Sequence, residues 1–163
     1  MGAGKTTIGR RLAHALALPF ADADAEIAAA AGCSIPEIFE KHGEAEFRRG
    51  ERQVIARLLA GPTLVLATGG GAFIDPETRA LMKQRATSIW LKAPLDVLMR
   101  RVSKRDDRPL LKQDDPQAVM QRLMEARYPI YAQADLTVET DAGPHEAAVG
   151  AIIAALRACP GKA

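Results

Sequence analysis

The chain opens on Met1-Gly2-Ala3-Gly4-Lys5-Thr6-Thr7, and an amphipathic run starts immediately behind it, with Ile8, Leu12, Ala15 and Leu16 at spacings of three and four. In the pattern G-x-x-x-x-G-K-[ST], Gly4, Lys5 and Thr6 supply the last three fixed positions, and the first glycine would fall two residues before Met1. Such a loop turns successive backbone amides inward, and the helix that follows adds positive potential at its N-terminus. The lysine follows the β- and γ-phosphates and the hydroxyl ligates magnesium. The segment therefore points to nucleotide binding by Gly2, Ala3, Gly4, Lys5, Thr6 and Thr7, with Lys5 catalytic and Thr6 a metal ligand. A flexible glycine-rich terminus with an exposed lysine leaves the immediate helix unexplained.

The periodicity predicts a helix over 7–17 bounded by Pro19, and a short strand through Phe20 and Ala21 into Asp22-Ala23-Asp24. A helix over 26–31 follows, with Gly32 as its C-cap. Ser34 and Glu37 form a capping box for 35–41, Gly43 closes that turn, and 44–60 reads as a long amphipathic helix ended by Gly61-Pro62. An apolar strand over 63–67 runs into Thr68-Gly69-Gly70-Gly71, where a sharp loop is expected. Further helices are predicted from Pro76 to Lys83, from Pro94 to about Arg105, from Pro116 to about Ala126 and from Pro144 to Arg157, with strands over 87–91 and 136–139. Segment 100–115 crowds opposite charges around Pro109-Leu110-Leu111 and reads as a surface lid. Apolar strands separated by helices argue a parallel sheet covered on both faces, a three-layer α/β fold.

Composition narrows the function. At 163 residues and 17.5 kDa the chain fits one domain, 1–163. The net charge of +2, with basic residues scattered, implies no nucleic-acid tail. Aromatics make up 4% while alanine is abundant, so small and branched side chains must fill the core. Cys33 and Cys159 lie far apart with no metal-ligand spacing, which reads as a cytoplasmic protein without structural zinc. The apolar runs are too short to span a bilayer.

Four groups of residues carry chemistry. Asp22 and Asp24, placed at a strand end, would leave on one face toward the nucleotide, as a magnesium-water ligand and a base. Phe47-Arg48-Arg49 would aim one arginine at a ligand, although the residues alone favour a solvated face paired with Glu44 and Glu51. Gly69, Gly70 and Gly71 allow backbone amides to approach a small ligand. Arg108 in the lid can neutralise phosphoryl charge, and Arg127, beside Tyr128 and Pro129, can meet an anionic substrate.

Together these segments resemble shikimate kinase, a nucleoside-monophosphate-kinase-like phosphate-loop family. The resemblance is carried by GAGKTTIGRRLA (2–13), DAD (22–24), SIPEIFEKHGEAEFRRGE (34–51), ATGGGA (67–72), RPLL (108–111) and RYPIYAQAD (127–135), and it covers essentially the whole chain. It implies transfer of the ATP γ-phosphoryl group to the 3-hydroxyl of shikimate, in the chorismate pathway to aromatic amino acids. Within the shikimate-binding region, 22–60, it assigns substrate binding to Asp24 and Arg48, joined by Gly69, Gly70, Gly71 and Arg127. Asp24 would orient the attacking hydroxyl and accept its proton, and Asp22 would hold the magnesium hydration shell. Arg108, in the lid at 101–116, would reach the phosphates, and Arg101 would stack on adenine. The resemblance also implies a parallel sheet of order 2-3-1-4-5. Strand 1 is expected to be absent from this chain, its two neighbours unpaired, and Met1 to be an internal methionine of a longer reading frame. ATP is the co-substrate and Mg2+ the cofactor, and a monomer is expected. Two alternatives stay open: another small hydroxy-acid kinase, gluconate-kinase-like, and a truncated phosphate-loop protein without catalysis.

Overall fold

The computed structural model describes residues 2–103, 115–141 and 143–158. The chain runs α1 (Lys5–Ala15), β1 (Phe20–Asp22), α2 (Ala23–Ala31), α3 (Ile35–Ala60), β2 (Val65–Ala67), α4 (Gly70–Ile74), α5 (Pro76–Arg85), β3 (Ile89–Lys92), α6 (Leu95–Val102), α7 (Pro116–Tyr131), β4 (Leu136–Glu139) and α8 (His145–Ala158). Among the described residues no helix is long and apolar enough to cross a membrane.

The described strands form two parallel pairs. In one, Phe20, Ala21 and Asp22 face Val65, Leu66 and Ala67. In the other, Ile89 through Lys92 face Leu136 through Glu139. The pairs β1-β2 and β3-β4 hold the places expected of positions 2-3 and 4-5, with no described strand hydrogen-bonded between them. Most strand residues are half-buried, and among the described residues each pair has no further strand on either edge.

Helices cover both faces. Ile8, Leu12, Val149 and Ile152 of α1 and α8 pack with Val138, and Val65, Ile89 and Leu91 lie against them, so one helical layer spans both strand pairs. Leu66, next to Val65, turns the opposite way onto Ala23, Ile55, Ala72, Phe73 and Met82, as strand alternation requires. Small residues fill this core as composition suggested: Ala23 and Ala72 are fully buried.

Local signals explain most boundaries. The Ser34–Glu37 capping box forms in both directions and starts α3. Gly43, at φ 77°, breaks that helix into the two segments the sequence implies. Two expectations are corrected. Three successive glycines do not make a loop throughout, because Gly70 opens the short helix α4, held by the burial of Ala72 and Phe73. Helix α7 does not stop near Ala126 but runs past Pro129 to Tyr131. Its last turn is held by the Ala132 amide donating to the Tyr128 carbonyl at 2.8 Å and by ring contacts of Tyr128 and Tyr131 with Trp90.

Candidate active site

The phosphate loop is set by backbone geometry. Gly2 and Gly4 sit at φ 71° and 81°, a region glycine enters without steric cost. Gly4 caps α1 without a side-chain capping hydrogen bond, so the helix N-terminus opens directly onto the loop, the arrangement that anion binding at a helix N-terminus uses. Ala3 packs among Val97, Leu98 and Val102 and anchors the loop to α6.

Thr6 reaches across to the end of β1, where its hydroxyl donates to the Asp22 carboxylate at 2.8 Å. Asp22 also accepts from the Asp24 amide at 3.1 Å and so caps α2. The two aspartates therefore do not leave a strand on one face. Asp22 ends the strand and Asp24 stands in the first turn of α2, because β1 is only three residues long and its last carboxylate starts the helix. Thr6 and Asp22 together offer hard oxygen donors of the kind Mg2+ takes beside phosphate oxygens and water. Among the described residues no group of three or more His, Cys, Asp and Glu forms a protein-only metal cage.

The glycine segment gathers the remaining candidates. A Cβ at Gly69 would lie 3.5 Å from Asp24 Oδ1 and 3.6 Å from Glu51 Oε1. At Gly71 it would stand 2.8 Å from Arg48 Cζ, closer than atoms can approach. At Gly70 it would collide with the Tyr131 hydroxyl and come within 3.9 Å of Arg127 Nη1. Asp24, Arg48 and Arg127, from three different helices, thus converge on glycines whose missing side chains make the room.

Arg48 is fixed by a residue that sequence reasoning left on the solvated face. Its guanidinium donates to Glu51 at 2.6 Å and reaches Glu44 at 3.4 Å. Glu51 is 2% exposed. Burial pushes its carboxyl above the usual range against the pull of Arg48, and the charges of Asp24 and Asp75 add to the rise. Burial opposes the charge on Arg48, yet the bonds and charges of Glu51 and Glu44 hold its pKa above the ordinary value. Glu51 could have been found from its spacing: it falls on the apolar stripe of Phe47, Val54, Ile55 and Leu58. Arg49 points away and pairs with Glu46 at 2.5 Å, with both side chains largely exposed.

Arg101 connects the phosphate loop to the segment after β4. It donates to the Gly2 carbonyl at 3.4 Å and to the Asp141 carbonyl at 2.5 Å. With Thr140, Pro144 and His145 it lines a hollow of about 110 Å³ beside Gly4. Arg108 and most of the expected lid lie outside the described residues.

The shikimate kinase family model matches residues 1–157. The shikimate kinase of Caulobacter vibrioides is 59% identical over 157 residues, 96% of this chain and 78% of its own length. A solved structure of the shikimate kinase from Acinetobacter baumannii in complex with shikimate superposes with a TM-score of 0.91 at 39% identity, covering 97% of this chain and 89% of that one. A gluconokinase from Sinorhizobium meliloti shares the fold alone, with a TM-score of 0.60 and 18% identity over 96% of this chain and 91% of that one. By the extent of the family match and the identity to its curated members, the chain belongs to the shikimate kinase family.

Proposed function

We propose that the chain transfers the γ-phosphoryl group of ATP to the 3-hydroxyl of shikimate, giving 3-phosphoshikimate and ADP. The observation that carries this reading is the convergence of Arg48, Arg127 and Asp24 on Gly69–Gly71, tied to the phosphate loop through Thr6 and Asp22. A small hydroxy acid needs cations for its carboxylate and a carboxylate for its hydroxyl, and both stand there. A relative solved in complex with shikimate has this fold.

In this reading Arg48, pre-oriented by Glu51, and Arg127 take the substrate carboxylate by charge-assisted hydrogen bonds. The backbone of Gly69, Gly70 and Gly71 lies against the ring. Asp24 orients the 3-hydroxyl and accepts its proton as that oxygen bonds to the γ-phosphorus and the bond to the ADP oxygen breaks. Gly2 through Thr7 cradle the phosphates, Lys5 follows the γ-phosphoryl group, and Arg101 meets the adenine side. Thr6 and Asp22 would hold Mg2+, which when bound offsets phosphate charge. Arg108 is assigned to the phosphates by the family resemblance alone. The reading includes a cytoplasmic monomer serving aromatic amino acid synthesis through chorismate.

A coupled assay of ADP release tests it with shikimate and gluconate offered separately. Shikimate-dependent turnover without gluconate turnover is expected. Turnover of gluconate but not shikimate overturns the assignment, and turnover of neither supports a non-catalytic phosphate-loop protein.

A further inference from the structure

Helix α7 ends in two tyrosines whose hydroxyls leave in different directions. Tyr128 donates to the carbonyl of Ala93, just after β3, at 3.1 Å. Tyr131 donates to the carbonyl of Gly70, just after β2, at 3.1 Å. One helix end is thereby pinned to both strand pairs. Arg127 stands four residues before Tyr131, on the same face of the helix. Both side chains close on Gly70: a Cβ there would meet the Tyr131 hydroxyl first and Arg127 Nη1 at 3.9 Å.

We propose that Tyr131 is a positioning residue for substrate binding, its hydroxyl holding the Arg127 guanidinium and the Gly70 backbone in one fixed relation. The inference rests on the reading of Arg127 as a contact of the substrate carboxylate and of the Gly70 backbone as lying against the substrate ring. The Tyr131 hydroxyl and Arg127 Nη1 approach the same point at Gly70, and consistent with that nearness the guanidinium lowers the Tyr131 hydroxyl pKa that burial raises. The ring itself has a separate duty. It packs beside Trp90 and Tyr128, with centroids 6.0 and 6.4 Å away, and against the Ala72–Phe73 cluster. Removing the hydroxyl alone leaves that packing in place.

Tyr131→Phe separates the two duties, with Tyr128→Phe as a matched control that deletes a hydroxyl from the same helix end. Tyr131→Phe is expected to raise KM for shikimate about three- to tenfold, the effect of one lost hydrogen bond. KM for ATP and kcat should stay at wild-type values, the thermal midpoint should fall no further than in Tyr128→Phe, which loses a matched hydrogen bond, and Tyr128→Phe should leave KM for shikimate unchanged. In an Arg127→Ala background, Tyr131→Phe should add nothing, since the relation it maintains is already gone. An unchanged KM for shikimate in Tyr131→Phe, an equal rise in both KM values, or an effect that adds in full to that of Arg127→Ala overturns the proposal. Absence of shikimate turnover in the wild-type protein overturns the substrate reading first and the proposal with it.

Discussion

The Thr6 hydroxyl donates to the Asp22 carboxylate across 2.8 Å, joining the first turn of α1 to the end of β1. Phosphate loop and substrate region therefore meet through this polar contact, and Asp22 passes the constraint on by capping the helix that carries Asp24. Asp22→Asn keeps an oxygen for the cap but removes the charge. Magnesium titrations of activity should show the half-maximal concentration rising about tenfold, the scale seen when a group supporting a metal site is lost. Unfolding stability should change by less than about 0.5 kcal/mol, because asparagine caps about as well as aspartate. An unaltered magnesium dependence would remove Asp22 from the metal site.

Gly71 has no room for a methyl group, since Arg48 Cζ would lie 2.8 Å from its Cβ. The guanidinium must then move, and it is tied to Glu51. Gly71→Ala should lower kcat/KM for shikimate about 100-fold, as a displacement near 1 Å in a binding group does. KM for ATP should hold steady. Kinetics with each substrate varied in turn distinguish this from general damage, which would raise both KM values.

Glu51 gives a pH signature. Burial raises its folded-state pKa above the ordinary 4.5, so the folded protein holds this proton more tightly than the unfolded chain. Its contribution to stability is complete below the unfolded value and is lost as pH rises through the raised folded value. Glu51→Gln carries no such titration. Urea unfolding from pH 4 upward should show wild type losing ground relative to Glu51→Gln across that window, and a constant difference between the two would contradict the raised pKa.

Much of this arrangement was legible in the sequence because it depends on local chemistry. Gly4-Lys5-Thr6 announced the phosphate loop, Ser34 and Glu37 announced a capping box, and the proline at position 116 announced a helix start; each signal acts within one helical turn. What failed depended on tertiary packing. The pattern of the sequence carries the strand on to Asp24 because nothing local reveals that β1 stops after three residues. Helix α4 forms despite its glycines because Ala72 and Phe73 are buried, which outweighs a propensity deficit of about 1 kcal/mol per glycine. Pro129 would end an isolated helix, yet α7 continues to Tyr131 where both tyrosines are hydrogen-bonded. Glu51 looks like a surface charge in the sequence because its burial follows from the fold around α3, although the apolar stripe runs through its position.

The most direct measurement follows 3-phosphoshikimate by phosphorus NMR from ATP, Mg2+ and shikimate, with wild-type chain and with Asp24→Asn. Wild type is expected to form 3-phosphoshikimate in step with ADP. Asp24→Asn should slow the reaction about 100- to 10,000-fold, the range for loss of a positioned general base, with its fold unchanged by circular dichroism. Phosphoshikimate formed by Asp24→Asn at the wild-type rate, or ADP formed by wild type with no phosphorylated shikimate, would contradict a site in which Asp24 prepares the substrate hydroxyl.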